Sequence, residues 1–161
     1  MEQIIIHPIG IIRTPHTDVK NMPIQPIAAE GIRGAIELLP EYAAGLKDIE
    51  GFSHITLLYW FHKIEGYELE VVPFMDTEAH GIFSTKAPKR PNAIGVSTVK
   101  LIGVEGNILH IEQVDMLDGT PLIDIKPFYP RYDNRFDVKI GWLEKNKDLP
   151  LEKLRSDERF K

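Results

Sequence analysis

The sequence predicts a mainly β domain, a small barrel or sandwich with a few short helices. Short apolar, β-branched stretches recur along the chain and are separated by turn residues. Twelve glycines and twelve prolines are spread throughout rather than gathered in one linker. A length of 161 residues fits one domain, and 43% hydrophobic with 27% charged residues is ordinary for a globular chain.

The elements follow in order. Residues Ile4–Ile12 read as a first strand, bent, bulged or at an edge around Pro8, which cannot donate to a ladder. Thr14 to Glu30 is a polar, 17-residue loop carrying Pro15, Pro23 and Pro26. Loops of that length are often functional, with a disordered insertion as the alternative. Strands are expected at Gly31–Leu38 and Phe52–His62, with a short turn of helix at Pro40–Leu46 between them. Further strands are expected at Gly81–Ser84, Val96–Val104 and Ile108–Val114, the last two joined by a hairpin tip at Glu105, Gly106 and Asn107. Leu122–Ile125 and Phe136–Trp142 complete the set. Asp148 could cap a helix through Leu151–Arg155 with Pro150 in its first turn. The barrel domain is thus placed at residues 1–142. Residues 143–161 form a charged tail, either a surface helix or a frayed end.

Several function classes fall away. No apolar run approaches the ~18 residues of a membrane-spanning helix, so no membrane partner is expected. The first residues carry an acid and no small-residue cleavage site, which argues against a signal peptide and for a cytoplasmic location. Without cysteine there are no disulfides, thiolate metal sites or cysteine nucleophiles. The six histidines make no HxxxH pair, Asp115, Asp118 and Asp124 do not follow an EF-hand spacing, and no metal is expected. There is no G-x-S-x-G elbow, P-loop or G-x-G-x-x-G.

Net charge is −5, yet from Gly81 to Val104 there is no acid, while Lys86, Lys89, Arg90 and Lys100 are all basic. An acidic chain with one basic island suggests a local anionic partner; a solvated loop is the plain alternative. Within the island Pro88 and Pro91 stiffen a loop presenting Lys86, Lys89, Arg90 and Asn92. Arg90 offers a planar fork suited to carboxylate or phosphate. A second segment runs from Val114 to Pro130. Its Asp118-Gly119 turn lets glycine take positive φ, and Asp124 and Lys126 alternate with apolar residues on one strand face. A surface ion pair would explain those two equally well. Pro127, Phe128, Tyr129 and Pro130 add a rigid apolar shelf.

These two segments resemble the signature of the TrmO family, also called TsaA-like or VirR-like, in its short form without the extra C-terminal domain of longer bacterial members. The likeness extends to Ile9 through Pro15, Gln25-Pro26, Gly51 through His54, and Phe61-His62. Phe83-Ser84-Thr85, Arg90-Pro91-Asn92, Ile94-Gly95, Asp118 through Pro121 and Asp124 through Pro127 follow in the same order. The family usually has a second proline at Ala93 and often arginine at Lys86.

The resemblance implies a TsaA-like β-barrel that binds S-adenosylmethionine, works as a homodimer with the cofactor near the interface, and methylates N6 of threonylcarbamoyladenosine next to the anticodon of tRNA. By position, Gln25, Pro26, Ile27, Ala28, His62, Lys63, Ile64, Arg90, Leu101, Met116, Leu117, Asp118 and Gly119 would bind the cofactor. Asp118, Asp124, Lys126 and His62 are candidates for the catalytic groups, the carboxylates and histidine as proton acceptors. Arg90 and Lys126 would meet the threonine carboxylate. Lys86, Lys89, Arg90, Asn92, Lys100, Lys126 and Tyr129 would contact the RNA. The competing readings are a non-catalytic barrel that binds RNA or a nucleotide-like ligand, and the same barrel methylating another substrate.

Overall fold

The structure, a computed structural model, describes residues 3–161. Six strands close a barrel: β1 (Gly10–Arg13), β2 (Arg33–Leu38), β3 (His54–Trp60), β6 (Ile94–Glu105), β7 (Ile108–Glu112) and β8 (Thr120–Pro127). Their order around the wall is β1-β2-β7-β6-β3-β8, and every pairing is antiparallel. Two short strands, β4 (Glu70–Val71) and β5 (His80–Gly81), pair outside it.

Alternation explains the wall. On β3, Ile55, Leu57 and Tyr59 point inward; on β6, Gly95, Ser97, Val99 and Leu101 do so. Ile12, Ile36, Leu38, Leu109, Ile111 and Leu122 from the other strands join them in one core. Full closure leaves no barrel edge to pair with another chain. Register shifts between Leu58 and Tyr59 on β3, and between Leu101 and Gly103 on β6, bend the strands as closure requires. Gly106 takes φ +63° at the β6–β7 turn, the expected hairpin tip.

The structure corrects four expectations. Residues 4–9 do not belong to a strand; Ile4 to Ile6 are exposed, and β1 begins only at Gly10, after Pro8. Residues 136–140 are exposed without strand pairing because the sheet is already closed. Residues 81–84 are the end of β5 followed by a 3₁₀ turn, Ile82–Ser84. The tail is not an α-helix: it makes 3₁₀ turns at Gly141–Asn146 and Leu151–Lys153. The Pro40–Leu46 helix is likewise 3₁₀, and the one α-helical turn among the described residues, α1 (Pro130–Asp133), follows β8.

The tail docks. Trp142 stacks on His80 with ring centroids 4.6 Å apart and donates to the Ser84 carbonyl at 2.8 Å. Lys145 pairs with Asp76 at 2.8 Å, and Asn146 donates to the Met75 carbonyl at 2.6 Å. Phe160 closes a small second core with Val71, Ile82 and Ala87. Ser156 bonds back to the Thr14–Glu30 loop through Val19 and Met22. No helix among the described residues is long and apolar enough to cross a membrane.

Removing the Phe160 ring strips the tail of its main apolar anchor. Phe160→Ala should leave the barrel folded but free the last twenty residues, so limited proteolysis should cut the tail faster than in the unaltered chain. An unchanged digestion rate would mean that the polar contacts alone hold it.

Candidate active site at one mouth of the barrel

Antiparallel order sends the ends of β1, β3 and β7 and the starts of β2, β6 and β8 to the same mouth. Three connections gather there: the Thr14–Glu30 loop, the 61–93 excursion and the 113–119 turn. With the tail they enclose a cavity of about 1050 Å³. Its barrel side includes Tyr59, Phe61, His62, Arg90, Asp115 and Met116, and its outer side includes Trp142 and Phe160. Single, mostly apolar cavities of this size are where small ligands bind.

One break in alternation builds the wall. Gln113 holds φ +70°, and its N–H and that of Val114 both reach the Ile32 carbonyl, at 2.8 and 3.4 Å. This shifts the phase of the chain after β7, so Val114 and Met116 are buried and Asp115 meets the cavity. The Thr14–Glu30 loop is pinned along this segment: Thr14 Oγ1 donates to the Met116 carbonyl at 2.8 Å, and the Thr14 N–H donates to Asp118 Oδ1 at 3.1 Å.

At the centre lies a short polar chain. Ser97 Oγ donates to Asp115 Oδ1 at 2.7 Å and stands 3.0 Å from the Tyr59 hydroxyl. Because the serine proton goes to the carboxylate, the tyrosine must donate to the serine. Gly95 makes room for this: a Cβ there would come within 2.2 Å of the Tyr59 ring, its register partner across β3 and β6. Burial pushes the Asp115 carboxyl up to about 7, against the opposing pull of the Ser97 hydrogen bond. Burial also raises the Tyr59 phenol, with Asp115 adding to the effect, so the phenol stays protonated. His62 is lowered, first by burial and then by Lys63, which favours a neutral imidazole.

Arg90 has a structural task of its own. Its Nη1 donates to the carbonyls of Thr85, Ile82 and Ala87 at 2.8, 3.1 and 3.4 Å, bracing the loop it sits in. Lys86 reaches Gln25 Oε1 at 3.5 Å.

Among the residues proposed from sequence, Gln25, His62, Lys63, Ile64, Lys86, Arg90, Met116 and Leu117 line the cavity. Pro26 and Ile27 line a smaller hollow beside it, which Gln25 and Lys86 share, and Ala28 is buried. Asp118 and Gly119 form the turn behind the wall, Gly119 at φ +76°. The others lie elsewhere. Leu101 is packed in the barrel core. Lys100 sits where β6 meets the start of β3, and pairs with Glu112 at 3.9 Å. Asp124 and Lys126 form a 2.8 Å ion pair on β8. Lys89 pairs with Glu68 at 2.8 Å, Asn92 is exposed in the loop before β6, and Tyr129 packs edge-on against Tyr132. Sequence reasoning passed over Asp115, Ser97 and Tyr59 as a connected group. The usable signal was an inward polar position, Ser97, in an otherwise apolar strand.

A family model, the tRNA-methyltransferase O N-terminal domain, matches residues 11–134. The chain belongs to the TrmO family. A probable S-adenosyl-L-methionine-binding protein of Pyrococcus abyssi is 55% identical over 98% of this chain and 85% of its own length. The mouse tRNA (adenine(37)-N6)-methyltransferase is 36% identical over 85% of this chain but 33% of its own. The crystal structure of TrmO from Pseudomonas aeruginosa superposes with a TM-score of 0.75 at 36% identity, covering 88% of this chain and 63% of that one. This chain therefore spans under two thirds of that bacterial TrmO. The TrmO match takes in β1 through α1, and the docked tail lies outside it.

The raised Asp115 carboxyl has a signed consequence for stability. An unfolded aspartate ionises near 3.8, whereas the folded one keeps its proton to about 7. Between those values the unfolded chain releases a proton that the folded chain retains, so this group lowers stability as pH rises through the window. Asp115→Asn keeps an acceptor for Ser97 and removes the ionisation. Thermal unfolding should show the variant more stable than the unaltered chain at pH 8, by roughly a few kcal/mol, with the gap closing towards pH 4. An equal gap at both pH values would contradict the assignment.

Proposed function

We propose that this chain is an S-adenosylmethionine-dependent methyltransferase acting on N6 of an adenine in tRNA, with threonylcarbamoyladenosine next to the anticodon as its substrate. The observation that carries the reading is that the TrmO-matched segment itself supplies the barrel side of a large, mostly apolar cavity lined by a carboxylate, Asp115, that forms no ion pair with a described residue.

The residues present fit the cofactor. When bound, S-adenosylmethionine supplies a methyl group on a positively charged sulfur. An aromatic and apolar wall that carries the Asp115 carboxylate suits such a cation. Gln25, His62, Lys63, Ile64, Arg90, Met116 and Leu117 would hold it, with Pro26 and Ile27 at the smaller hollow and Asp118 and Gly119 shaping the turn. Tyr59 and Phe61 close one side of the cavity, and the tail closes the other. Together they narrow the site around the donor, which aids alignment for an in-line transfer.

The accepting nitrogen sits beside a carbonyl and is a poor nucleophile until its proton leaves. His62, neutral at the cavity wall, and Asp115 are the groups placed to receive it. Asp124 and Lys126 point away from the cavity and are not part of this step. Lys63, Lys86 and Arg90 provide the positive charge for the threonine carboxylate. Lys89, Lys100 and Lys126 are paired with acids of the chain, so RNA contact beyond the cavity is assigned to Lys86 and its neighbours.

A homodimer is part of the same proposal. Phe83, Ile27 and Val96 are 77%, 61% and 54% exposed beside the cavity and its smaller hollow. A second copy covering them would place the cofactor near the interface. Light scattering should return twice the chain mass, and Val96→Glu should return the monomer. A single-chain mass for the unaltered protein would remove the dimer from the proposal.

The reaction is tested by nucleoside mass spectrometry of tRNA incubated with the protein and the methyl donor. Carbamoylated tRNA should gain one methyl on the modified adenosine, while tRNA lacking the threonylcarbamoyl group should gain none. Arg90→Ala should lower the yield by more than tenfold. Equal methylation of both tRNAs would leave the methyltransferase reading standing and overturn the substrate.

A further inference from the structure

Three carboxylates line the cavity, and two are already neutralised. Asp18 lies 3.7 Å from Lys161, and Asp157 pairs with Arg159 at 2.7 Å. Asp115 forms no ion pair with a described residue; its recorded side-chain partner is the Ser97 hydroxyl. The Tyr59→Ser97→Asp115 chain fixes one carboxylate oxygen, Oδ1, from behind. Oδ1 is thus committed to Ser97, and Asp115 is one of the cavity-lining residues. Gly95 and the β3–β6 register hold the tyrosine in place, so the chain is built into the barrel wall.

We infer that Asp115 is a charge-matched proton acceptor: it is ionised while a cationic methyl donor occupies the cavity, and it takes the proton that N6 releases on methylation. This rests on the proposed function above. The balance is complete without a further reactant. The bond from N6 to the methyl carbon forms as the carbon–sulfur bond breaks, and that electron pair stays on sulfur. The N6–H bond breaks, its electron pair stays on nitrogen, and its proton passes to Asp115 Oδ2. Carboxylate and cation sum to zero before the transfer; carboxylic acid and neutral thioether sum to zero after it. The sulfonium and Asp115 thus lose their charges together, while Lys63, Lys86 and Arg90 on the same wall keep theirs for the substrate carboxylate.

The groups that act on Asp115 bear this out. Lys86, in the loop before β6, pulls its carboxyl weakly towards the ionised form, and Tyr59 on β3 stays neutral. On the cavity wall His62, Lys63 and Arg90 follow β3 or precede β6, and Lys161 lies on the tail. With burial pushing its carboxyl up to about 7, Asp115 is divided between its two forms at neutral pH. A cation placed beside it shifts it to the ionised form, so donor binding must expel a proton. The demethylated product, which lacks the sulfur charge, lacks this drive. Asp115 therefore also favours donor over product.

Titration calorimetry on the full chain tests this without turnover. S-adenosylmethionine should bind about tenfold more tightly at pH 8 than at pH 6, because only the ionised fraction binds well. Runs in buffers of different ionisation enthalpy should show a fraction of a proton released at pH 7. S-adenosylhomocysteine should show little of either effect. Asp115→Asn should abolish the proton release and flatten the donor's pH response, while leaving S-adenosylhomocysteine affinity within about twofold. With donor saturating, its single-turnover transfer should fall at least a hundredfold. His62→Gln separates the other titrating wall group, and its proton release should match the unaltered chain. Proton release that persists in Asp115→Asn, or undiminished transfer in that variant, overturns the inference alone. Failure of the unaltered chain to bind the donor overturns the proposed function with it.

Discussion

The cavity depends on β8 pairing with β1 on one side and β3 on the other. Those two ladders turn a six-stranded sheet into a barrel and decide which loops share a mouth. The β1–β8 ladder sets the Thr14–Glu30 loop beside the 113–119 turn, where Thr14 bonds to Met116 and Asp118. The β3–β6 and β6–β7 ladders then bring Tyr59, Ser97 and Asp115 together. The register shift at Leu58 and Tyr59 falls within the β3–β8 ladder, while Tyr59 keeps its regular pairing with Gly95 on β6. Barrel closure and site geometry are the same constraint seen at two scales.

Around that mouth the chain neutralises almost every charge it buries. Asp76 shows the pattern: hydrogen bonds from Lys145 and His80 hold its carboxyl well below the usual carboxylate range. Arg159 satisfies Asp157 and the Pro73 carbonyl while lying over Phe74, 5.5 Å from the ring centroid. These contacts fasten the tail to the 71–87 excursion. They also leave Asp115 as the exception, open to the cavity yet deep within the protein. An exception inside an otherwise compensated surface is more informative than a perturbed carboxyl would be among other loose charges.

How much of this was legible in the sequence depended on how local the signal was. The Gly106 hairpin and the inward residues of β2, β3, β6, β7 and β8 follow from period-two alternation and turn chemistry. Residues 4–9 and 136–140 carry the same apolar character, yet no strand partner remains for them once the barrel has closed. Alternation describes a strand's faces and says nothing about whether a neighbour exists. The cavity loops were legible through family motifs, and eight of the residues named from them line the cavity. Asp115 was hidden because the phase of its segment is reset at Gln113, a left-handed residue that no periodicity announces. Lys100 and Lys126 read as part of one basic surface with Lys86, but antiparallel order sends them towards the other end of the barrel.

A buried carboxylate is a poor device for stability alone. An apolar side chain of similar volume at position 115 would avoid the desolvation cost, and Ser97 could then close its hydrogen bond with Tyr59 only. The chain instead keeps a three-residue polar relay inside a barrel core and spends a glycine, Gly95, to accommodate the tyrosine that starts it. Each part raises the cost of folding unless Asp115 must stay reachable from the cavity. The tail adds Trp142 and Phe160 to the same cavity wall, and burial keeps the carboxyl's proton affinity near neutrality. A carboxylate poised there can change protonation state when a single charge enters or leaves beside it. A fully solvated one, already ionised, could not respond.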